Sequence, residues 1–249
     1  EDFGCLGVWG PNARTRLQTL AADPAGLEPA NFAFASFREI DIAGVPVLAF
    51  RISYVGEQGW ELHFAYQDGL ALWDALYAAG VTPVGIETYA NSRRLEKSLR
   101  LQNADLLTEY NLLEAGLARP RVKPVDFHGR EAYLAVRERA QQPAYLCTLA
   151  MTDNRDSRRV PRYPMGHCPI VDPDSGDVLV DSQGRRSYTT SIAYGPSVDT
   201  NLMLAYLPVD YRQAGRALAM EYFNESYPVR VEAVGYSPVY DADNERPRS

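Results

Sequence analysis

The sequence has 249 residues, of which 46% are hydrophobic and 23% are charged, and its formal net charge is −7 at pH 7. This composition is typical of a globular chain of one or two domains, and it excludes wholesale disorder. The acidic balance argues against nucleic-acid binding, and no apolar run approaches the ~20 residues of a membrane-spanning helix, so we expect neither nucleic acid nor a membrane as a partner.

The first 142 residues mix strands with helices. The letters "FGCLGVWG" predict a short buried strand, and Pro11 suits the first turn of the helix that follows. Two alternating runs joined across Ala43 and Gly44 predict a hairpin, and Trp60, Leu62 and Phe64 alternate with charged residues in a further strand. Amphipathic helices are predicted at residues 67–80 and 86–99. This order with an antiparallel hairpin indicates an α+β fold.

The texture of the sequence changes after residues 141–143, "QQP". Short strand-like runs separated by turn residues follow, such as "AYLCTLAM", "TNLMLAYL" and "YPVRVEAV". Their spacing predicts a small all-β barrel or sandwich of about 100 residues. We therefore predict two domains, residues 1–142 and 143–249.

The stretch "SYVGEQGWELHF" carries two acidic residues next to an aromatic strand. Glu61 lies on the strand face opposite Trp60, where it is either a solvated carboxylate or a ligand-binding group. Its two coplanar oxygens match a ligand edge with two neighbouring N–H donors, such as that of a pterin ring. Tyr54 is placed to reach the same ligand or to bury its ring in the core. Glu57, within the turn, is predicted to be structural through backbone N–H bonds.

Two further groups of charged residues have alternative interpretations. "SRRLEKSLR" is a charge-rich helical segment that is either a solvated face or the source of a buried contact, in which Arg94 points to a carboxylate such as Glu114. The loop "NRDSRRVPRYPMG" contains four arginines, which either attract a polyanionic tail or keep the loop soluble. These four are Arg155, Arg158, Arg159 and Arg162.

Cysteine and histidine usage points to a reducing compartment and to no metal site. Cys5, Cys147 and Cys168 are far apart and form no CxxC pair, which indicates the cytoplasm, or the mitochondrial matrix in a eukaryote. His167 and Cys168 are adjacent, and neighbours on a strand point to opposite faces. "GCLGVWG" lacks the GxGxxG spacing of a dinucleotide site, and GxSxG and P-loop motifs are absent from the sequence.

Several motifs in fixed order resemble the folate-binding aminomethyltransferase family, which includes the glycine cleavage T-protein and the C-terminal regions of dimethylglycine and sarcosine dehydrogenases. They are "CLGVWGPNARTRLQ", "SYVGEQGWEL", "SRRLEKSLR", "LLEAGL", "DFHGREAYL" and "SPVYDADNERPRS". The resemblance implies the second half of an antiparallel-sheet folate-binding unit followed by a C-terminal β-barrel. It also implies tetrahydrofolate as cofactor, with Glu61 holding the pterin and Tyr54 lining the site. Arg94 is the third candidate folate-binding residue.

The resemblance also carries an expectation about activity. Near Ala90, where T-proteins have an arginine, the sequence has none, which favours the dehydrogenase-type relatives. We expect one-carbon transfer to tetrahydrofolate from a methylated amine or another methyl donor, with FAD bound if a flavin domain precedes. The family's catalytic Asp is expected upstream of Glu1, so the isolated chain is predicted to be inactive. The alternatives are a folate-dependent O- or S-demethylase and a non-catalytic folate-binding or assembly module.

Overall fold

The protein is described by a computed structural model that covers residues 2–249. The chain divides into two compact units, one formed by residues up to Tyr89 together with Asp241–Ser249, and the other by Ala90–Tyr240. The predicted division at residues 142 and 143 falls inside the second unit, and as a domain boundary it stays a prediction. Within residues 2–249 the helices are too short and too polar to cross a membrane.

The first unit is built on an antiparallel sheet with strand order β1-β4-β3-β2. The predicted hairpin is confirmed, because β2 and β3 pair with the turn at Ala43 and Gly44. The elements are β1 (Phe3–Trp9), α1 (Ala13–Gln18), β2 (Phe37–Ile42), β3 (Val45–Phe50), β4 (Gly59–Ala65) and α2 (Gly69–Ala78). Short 3₁₀ turns lie at Pro24–Leu27 and Tyr66–Asp68.

One face of this sheet is buried under the helices. Trp60 and Leu62 are fully buried, and they share a core with Leu17 of α1 and with Leu72 and Leu76 of α2. Burying each large apolar side chain contributes roughly 1.5–3 kcal/mol, which accounts for the strict alternation along β4. The alternation also directs the intervening polar residues of β4 to the opposite face.

The C-terminal residues complete the first unit. Helix α5 (Glu245–Arg248) brings Arg246 to Glu57, and the arginine Nε lies 3.0 Å from both carboxylate oxygens. Arg51 is fully buried and donates to the backbone carbonyls of Arg248 and Ser249. Glu57 is therefore structural, as predicted, and the structure gives its carboxylate a guanidinium partner.

The helix predicted at about residues 86–99 is confirmed over residues 86–96 and ends three residues earlier than predicted. Its middle, Thr88–Arg93, is π-helical and is followed by a single α-helical turn at Arg94–Glu96, named α3. Ser98 adopts a left-handed conformation, with φ of 53°, which ends the helix. The Arg94 side chain donates to the carbonyl of Ala90 at 2.7 Å and so takes part in local backbone bonding.

The second unit contains a sheet with strand order β6-β9-β10-β5-β8-β7. The chain at and just before β6 bonds to the chain at and just before β7: the amide of Thr189 donates to the carbonyl of Cys168, and the amide of Ile170 donates to the carbonyl of Ser187. These bonds close the sheet into a small barrel, which confirms the predicted C-terminal β-barrel. The elements are α4 (Arg130–Arg137), β5 (Ala144–Met151), β6 (Ile170–Val171), β7 (Thr189–Gly195), β8 (Thr200–Pro208), β9 (Ala217–Tyr222) and β10 (Glu225–Val234).

Candidate functional site

A cavity of about 620 Å³ lies in the first unit beside strand β1. Within residues 2–249, β1 is paired on one side, with β4. Side chains of both faces of β1 line the cavity, so it runs along the unpaired edge of the strand, and α2 and the segment after it form the other wall. The lining residues are Cys5, Leu6, Gly7, Val8, Trp9, Glu61, Trp73, Leu76, Tyr77, Val81, Thr82, Pro83, Val84, Gly85, Ile86 and Tyr89.

Glu61 is placed in this cavity by its position on β4. Its neighbours Trp60 and Leu62 point into the core, so the Glu61 carboxylate emerges on the opposite face. Gly7 of β1 lies directly across the strand pair from Glu61. The Glu61 side chain is 22% exposed, which makes it accessible from the cavity but partly shielded from water.

Two glycines allow the strands and the neighbouring indole to approach closely. A Cβ at Gly7 would lie 2.0 Å from the Trp9 ring, so the indole rests directly on the Gly7 backbone. A Cβ at Gly59, where β4 begins, would lie 2.0 Å from the carbonyl oxygen of Val8. The Trp9 ring is further fixed by its Nε1, which donates to the carbonyl of Ile52 at 2.8 Å.

An aromatic series extends from the cavity wall. The Trp9 and Tyr89 rings stack with centroids 5.4 Å apart, and Tyr89 contacts Tyr54 at 5.2 Å. Trp9 and Tyr89 line the cavity, and Tyr54 joins the site through its contact with Tyr89. The structure therefore brings Glu61 and Tyr54 into one region of the first unit, with Tyr89 between Tyr54 and the cavity.

The electrostatics of the cavity favour a ligand that brings hydrogen-bond donors. Burial raises the pKa of the Tyr89 hydroxyl, and the charges of Glu61 and Cys5 raise it further. Partial desolvation by the surrounding side chains also raises the pKa of the Cys5 thiol, although the residue is exposed, with a smaller contribution from Glu61. Both groups thus stay neutral near pH 7, and Glu61 supplies the negative charge of the wall.

Arg94, the third predicted site residue, lies in the second unit and is fully buried. Its guanidinium pairs with the carboxylate of Asp105 at 2.6 Å and donates to the hydroxyl of Ser191. The predicted contact of Arg94 with a carboxylate is confirmed, but the carboxylate is that of Asp105. Glu114, the example given, pairs instead with Arg185. The folate-binding role of Arg94 stays a prediction.

The arginine-rich loop of the second unit is partly neutralised by its own acids. Arg162 pairs with Asp156 at 2.7 Å and Arg159 with Asp153 at 3.2 Å. Hydrogen bonds from Val160 and Arg162 lower the pKa of the Asp156 carboxyl. Both acids belong to the loop itself, and the hypothesis of a polyanionic tail stays a prediction.

Trp9 and Tyr89 were missed as site residues from the sequence alone. The sequence does contain a signal for Trp9, which is two residues beyond Gly7 in "CLGVW" and therefore on the same strand face. Tyr89 carried no such signal, because the segment after α2 positions it and 80 residues separate it from Trp9. Cys5 and His63 lie on the same sheet face as Glu61.

The α+β sheet and the small barrel together have the aminomethyltransferase fold. The structure resembles the crystal structure of the glycine cleavage system aminomethyltransferase T from Bartonella henselae, with a TM-score of 0.74 over 95% of this chain and 60% of that one, at 21% identity. Residues 1–121 match the family model of the GCVT N-terminal domain, and residues 146–241 match that of the glycine cleavage T-protein C-terminal barrel domain. The chain belongs to the glycine cleavage T-protein family.

Curated relatives extend well beyond the region that they share with this chain. The human mitochondrial dimethylglycine dehydrogenase is 33% identical over 92% of this chain and 25% of its own length. The aminomethyltransferase of Symbiobacterium thermophilum is 32% identical over 86% of this chain and 54% of its own length. The aminomethyltransferase of Frankia alni is 35% identical over 82% of this chain and 51% of its own length. The chain thus spans about a quarter to about a half of the relatives it matches.

Proposed function

We propose that this chain binds tetrahydrofolate in the cavity beside β1 and belongs to an enzyme that transfers one-carbon units to it. The observation that carries the proposal is the placement of the Glu61 carboxylate in an aromatic-lined cavity of about 620 Å³. Cavities of roughly 300–1,000 Å³ with apolar walls and few polar groups are typical of small-molecule sites. Membership of the T-protein family supports the same ligand.

The residues of the cavity fit the chemistry of a pterin ring. The ring is flat and aromatic, so it packs against the Trp9 and Tyr89 side chains. One of its edges carries two neighbouring N–H donors, which the two oxygens of Glu61 accept as a charge-assisted pair. A bound folate supplies the amines that accept the carbon unit, and the protein supplies position.

These residues therefore contribute by binding and orienting the pterin ring. Glu61 fixes which edge of the ring enters the cavity, because the opposite edge lacks the matched pair of donors. The strand pair β1 and β4 holds Glu61 rigidly, since strand positions are more precise than loop positions. The apolar wall formed by Leu76 and Val81 keeps water from part of the bound ring.

We further propose that the carbon donor is a methylated amine and that the enzyme is of the dimethylglycine or sarcosine dehydrogenase type. The human relative, a dimethylglycine dehydrogenase that is similar over 92% of this chain, supports this proposal. A residue that handles the proton and a flavin site are expected in other parts of such a protein. The chain's own part in the reaction is then the binding of the acceptor.

The substitution Glu61→Gln tests the folate proposal. Replacing one oxygen by an amide sets donor against donor at the pterin edge, which costs about 1.5–3 kcal/mol, or more than tenfold in affinity. Tetrahydrofolate binding is measured by anaerobic calorimetry in the presence of a metal chelator.

Glu39→Gln is the matched control for this experiment. Glu39 is an exposed carboxylate on β2. It pairs with Leu48 of β3, and Leu48 pairs with His63 of β4. Glu39 therefore lies on the same sheet face as His63 and Glu61. We expect this variant to bind tetrahydrofolate as the unmodified chain does. Equal affinities of the Glu61→Gln and Glu39→Gln variants would remove Glu61 from the site.

A further inference from the structure

Three side chains with metal-binding atoms converge on the sheet face that carries Glu61. Cys5 of β1 lies directly opposite His63 of β4, and Glu61 precedes His63 by two residues on the same face. Cys5 Sγ lies 3.7 Å from His63 Nε2, which lies 3.5 Å from a Glu61 carboxylate oxygen. All three atoms lie within 4.8 Å of one another, and within residues 2–249 this is the one such group of three or more residues.

We propose that Cys5, Glu61 and His63 form a binding site for a divalent transition metal of the zinc class. Zinc binds thiolate sulfur at ~2.3 Å and imidazole nitrogen at ~2.0–2.1 Å in a tetrahedral arrangement, which places sulfur and nitrogen about 3.6 Å apart and nitrogen and oxygen about 3.4 Å apart. The distances of 3.7 and 3.5 Å match both values to within about 0.1 Å. One ion therefore fits the Cys5–His63 and the Glu61–His63 pairs as they stand, and the Cys5 sulfur and the Glu61 oxygen lie within 4.8 Å of each other.

Direct hydrogen bonding accounts for this arrangement less well. A separation of 3.5 Å between a ring nitrogen and a carboxylate oxygen is beyond the usual 2.7–3.2 Å range of an N–H···O bond, so Glu61 and His63 are close without being well bonded. A thiol–imidazole bond would explain the Cys5–His63 distance alone. A shared ion accounts for the closeness of all three atoms, which lie within 4.8 Å of one another.

The chemistry of the ligands and their support favour zinc over calcium or magnesium. A set of one thiolate, one imidazole and one carboxylate suits zinc, whereas calcium and magnesium take oxygen ligands. The His63 ring is held in place by Phe50, whose ring meets it edge-on with centroids 4.9 Å apart. Cys5 is exposed, and the side chain of His63 is 37% exposed, so a fourth position is open to water.

The proposed site shares Glu61 with the proposed folate site. If Glu61 holds the pterin edge, a metal ion on the same carboxylate competes with folate, and this consequence rests on the proposed function. The metal site itself does not depend on folate. Zinc would then inhibit folate binding, and this effect would depend on His63, which does not line the cavity.

Direct metal binding to the full 249-residue chain tests the site. Zinc is titrated against a colorimetric chelator, and cobalt(II) is used as a spectroscopic probe. We expect one equivalent of zinc to bind, and cobalt to give a thiolate-to-metal charge-transfer band in the near ultraviolet. The Cys5→Ser and His63→Gln variants should bind zinc at least about tenfold more weakly, and Cys5→Ser should lose the band.

The matched control is His167→Gln, which removes a histidine next to Cys168 in the second unit. This variant should retain both zinc affinity and the cobalt band. Far-ultraviolet circular dichroism confirms that each variant is folded. Retention of the band in Cys5→Ser, its loss in His167→Gln, or the absence of stoichiometric binding in the unmodified chain would overturn the proposal.

Folate binding with and without zinc separates this inference from the proposed function. With chelator present, the unmodified chain and His63→Gln should bind tetrahydrofolate alike, because His63 does not line the cavity. Added zinc should weaken folate binding to the unmodified chain and leave His63→Gln unaffected. Zinc binding without any folate binding would contradict the proposed function alone, and folate binding without zinc binding would contradict the metal site alone.

Discussion

Two charged sites, one in each unit of this chain, differ in how their charges are matched. In the second unit a buried guanidinium is matched to a buried carboxylate. Arg94 pairs with Asp105, and both side chains are completely buried. In the first unit Glu61 lies beside a cavity, with His63 as a neighbour at 3.5 Å. A buried charge with short, complementary bonds stabilises one arrangement of the chain, whereas a half-exposed charge beside a cavity remains available to a ligand.

The sheets differ in the same sense. The second unit closes its sheet into a barrel, so its strand edges are used within the fold. The first unit covers one face of its sheet with helices, and its edge strand β1 borders the cavity. Phe37 on the uncovered face is 63% exposed and stacks on Phe50. This contrast supports the proposal that the first unit binds the ligand.

The largest expected effect comes from breaking the buried ion pair of the second unit. Asp105→Asn leaves the Arg94 guanidinium buried without a compensating charge, and the substitution also weakens the bonds that Asp105 accepts from Thr190 and Ser191. The cost should be about 3–5 kcal/mol of unfolding free energy, as measured by urea denaturation. Glu61→Gln, on the open sheet, should change stability by less than about 1 kcal/mol. A loss of similar size in both variants would contradict the contrast between the units.

The Arg94 region also shows how far prediction from the sequence reaches. The helical pattern at residues 86–99 correctly predicts a helix over residues 86–96, but it does not predict that Thr88–Arg93 is π-helical. Asp105 and Ser191 hold the Arg94 side chain, and both lie outside the stretch. Local periodicity contains no information about such partners. The bonds of the Arg94 side chain are therefore determined by tertiary structure and not by the helical pattern.

The strands and the hairpin could be predicted because their pattern is local. Alternation of Trp60, Leu62 and Phe64 was sufficient to place Glu61 on the other face, and a two-residue turn was sufficient for the hairpin. The contact between Trp9 and Tyr89 was not predictable, because the fold of the chain between them brings the two rings together. The Cys5 and His63 pair requires the register of two strands that are far apart in sequence.

The second prediction uses pH to test how deeply the interior of the second unit is buried. Burial raises the pKa of the Cys147 thiol to about 12 from its ordinary value of 9.0. The folded chain therefore keeps this proton between pH 9 and 12 while the unfolded chain loses it. Stability is complete below pH 9 and should fall by up to about 1.4 kcal/mol per pH unit above it.

Cys147→Ala is the variant that isolates this effect. It removes the titrating thiol, so the slope of unfolding free energy against pH above pH 9 should become shallower. Tyr206, whose pKa is raised by burial, retains part of the slope. Chemical denaturation at several pH values measures the difference. An unchanged slope in Cys147→Ala would show that the Cys147 thiol titrates alike in the folded and unfolded chains.

The third prediction concerns the contact that shapes the cavity. Gly7→Ala places a methyl group into the Trp9 ring, because the Cβ position is 2.0 Å from the indole. The ring must move, which should cost about 1–3 kcal/mol of stability and weaken tetrahydrofolate binding. Gly85→Ala is the control, since Gly85 also lines the cavity and a Cβ there meets nothing within 4 Å. Equal folate affinities of the two variants would mean that the position of Trp9 is unimportant for the ligand.

The smallest expected effect distinguishes a direct from an indirect role of Tyr54. Tyr89→Leu removes an aromatic surface of the cavity and should weaken folate binding by about 0.5–1.5 kcal/mol. Tyr54→Leu should weaken it less, because in the structure Tyr54 contacts Tyr89 at 5.2 Å and reaches the cavity through that ring. The two single variants and the double variant form a cycle, measured by calorimetry with tetrahydrofolate.

If Tyr54 acts by holding Tyr89, its substitution should have no further effect once Tyr89 is leucine, and the coupling energy should equal the whole effect of Tyr54→Leu. If Tyr54 touches folate directly, as the sequence predicts, its substitution should weaken binding equally in both backgrounds. A control cycle pairs Tyr89→Leu with Tyr188→Leu, a tyrosine of the second unit that stacks with His167. That pair should show no coupling, and any coupling there would mean that the variants act through global stability.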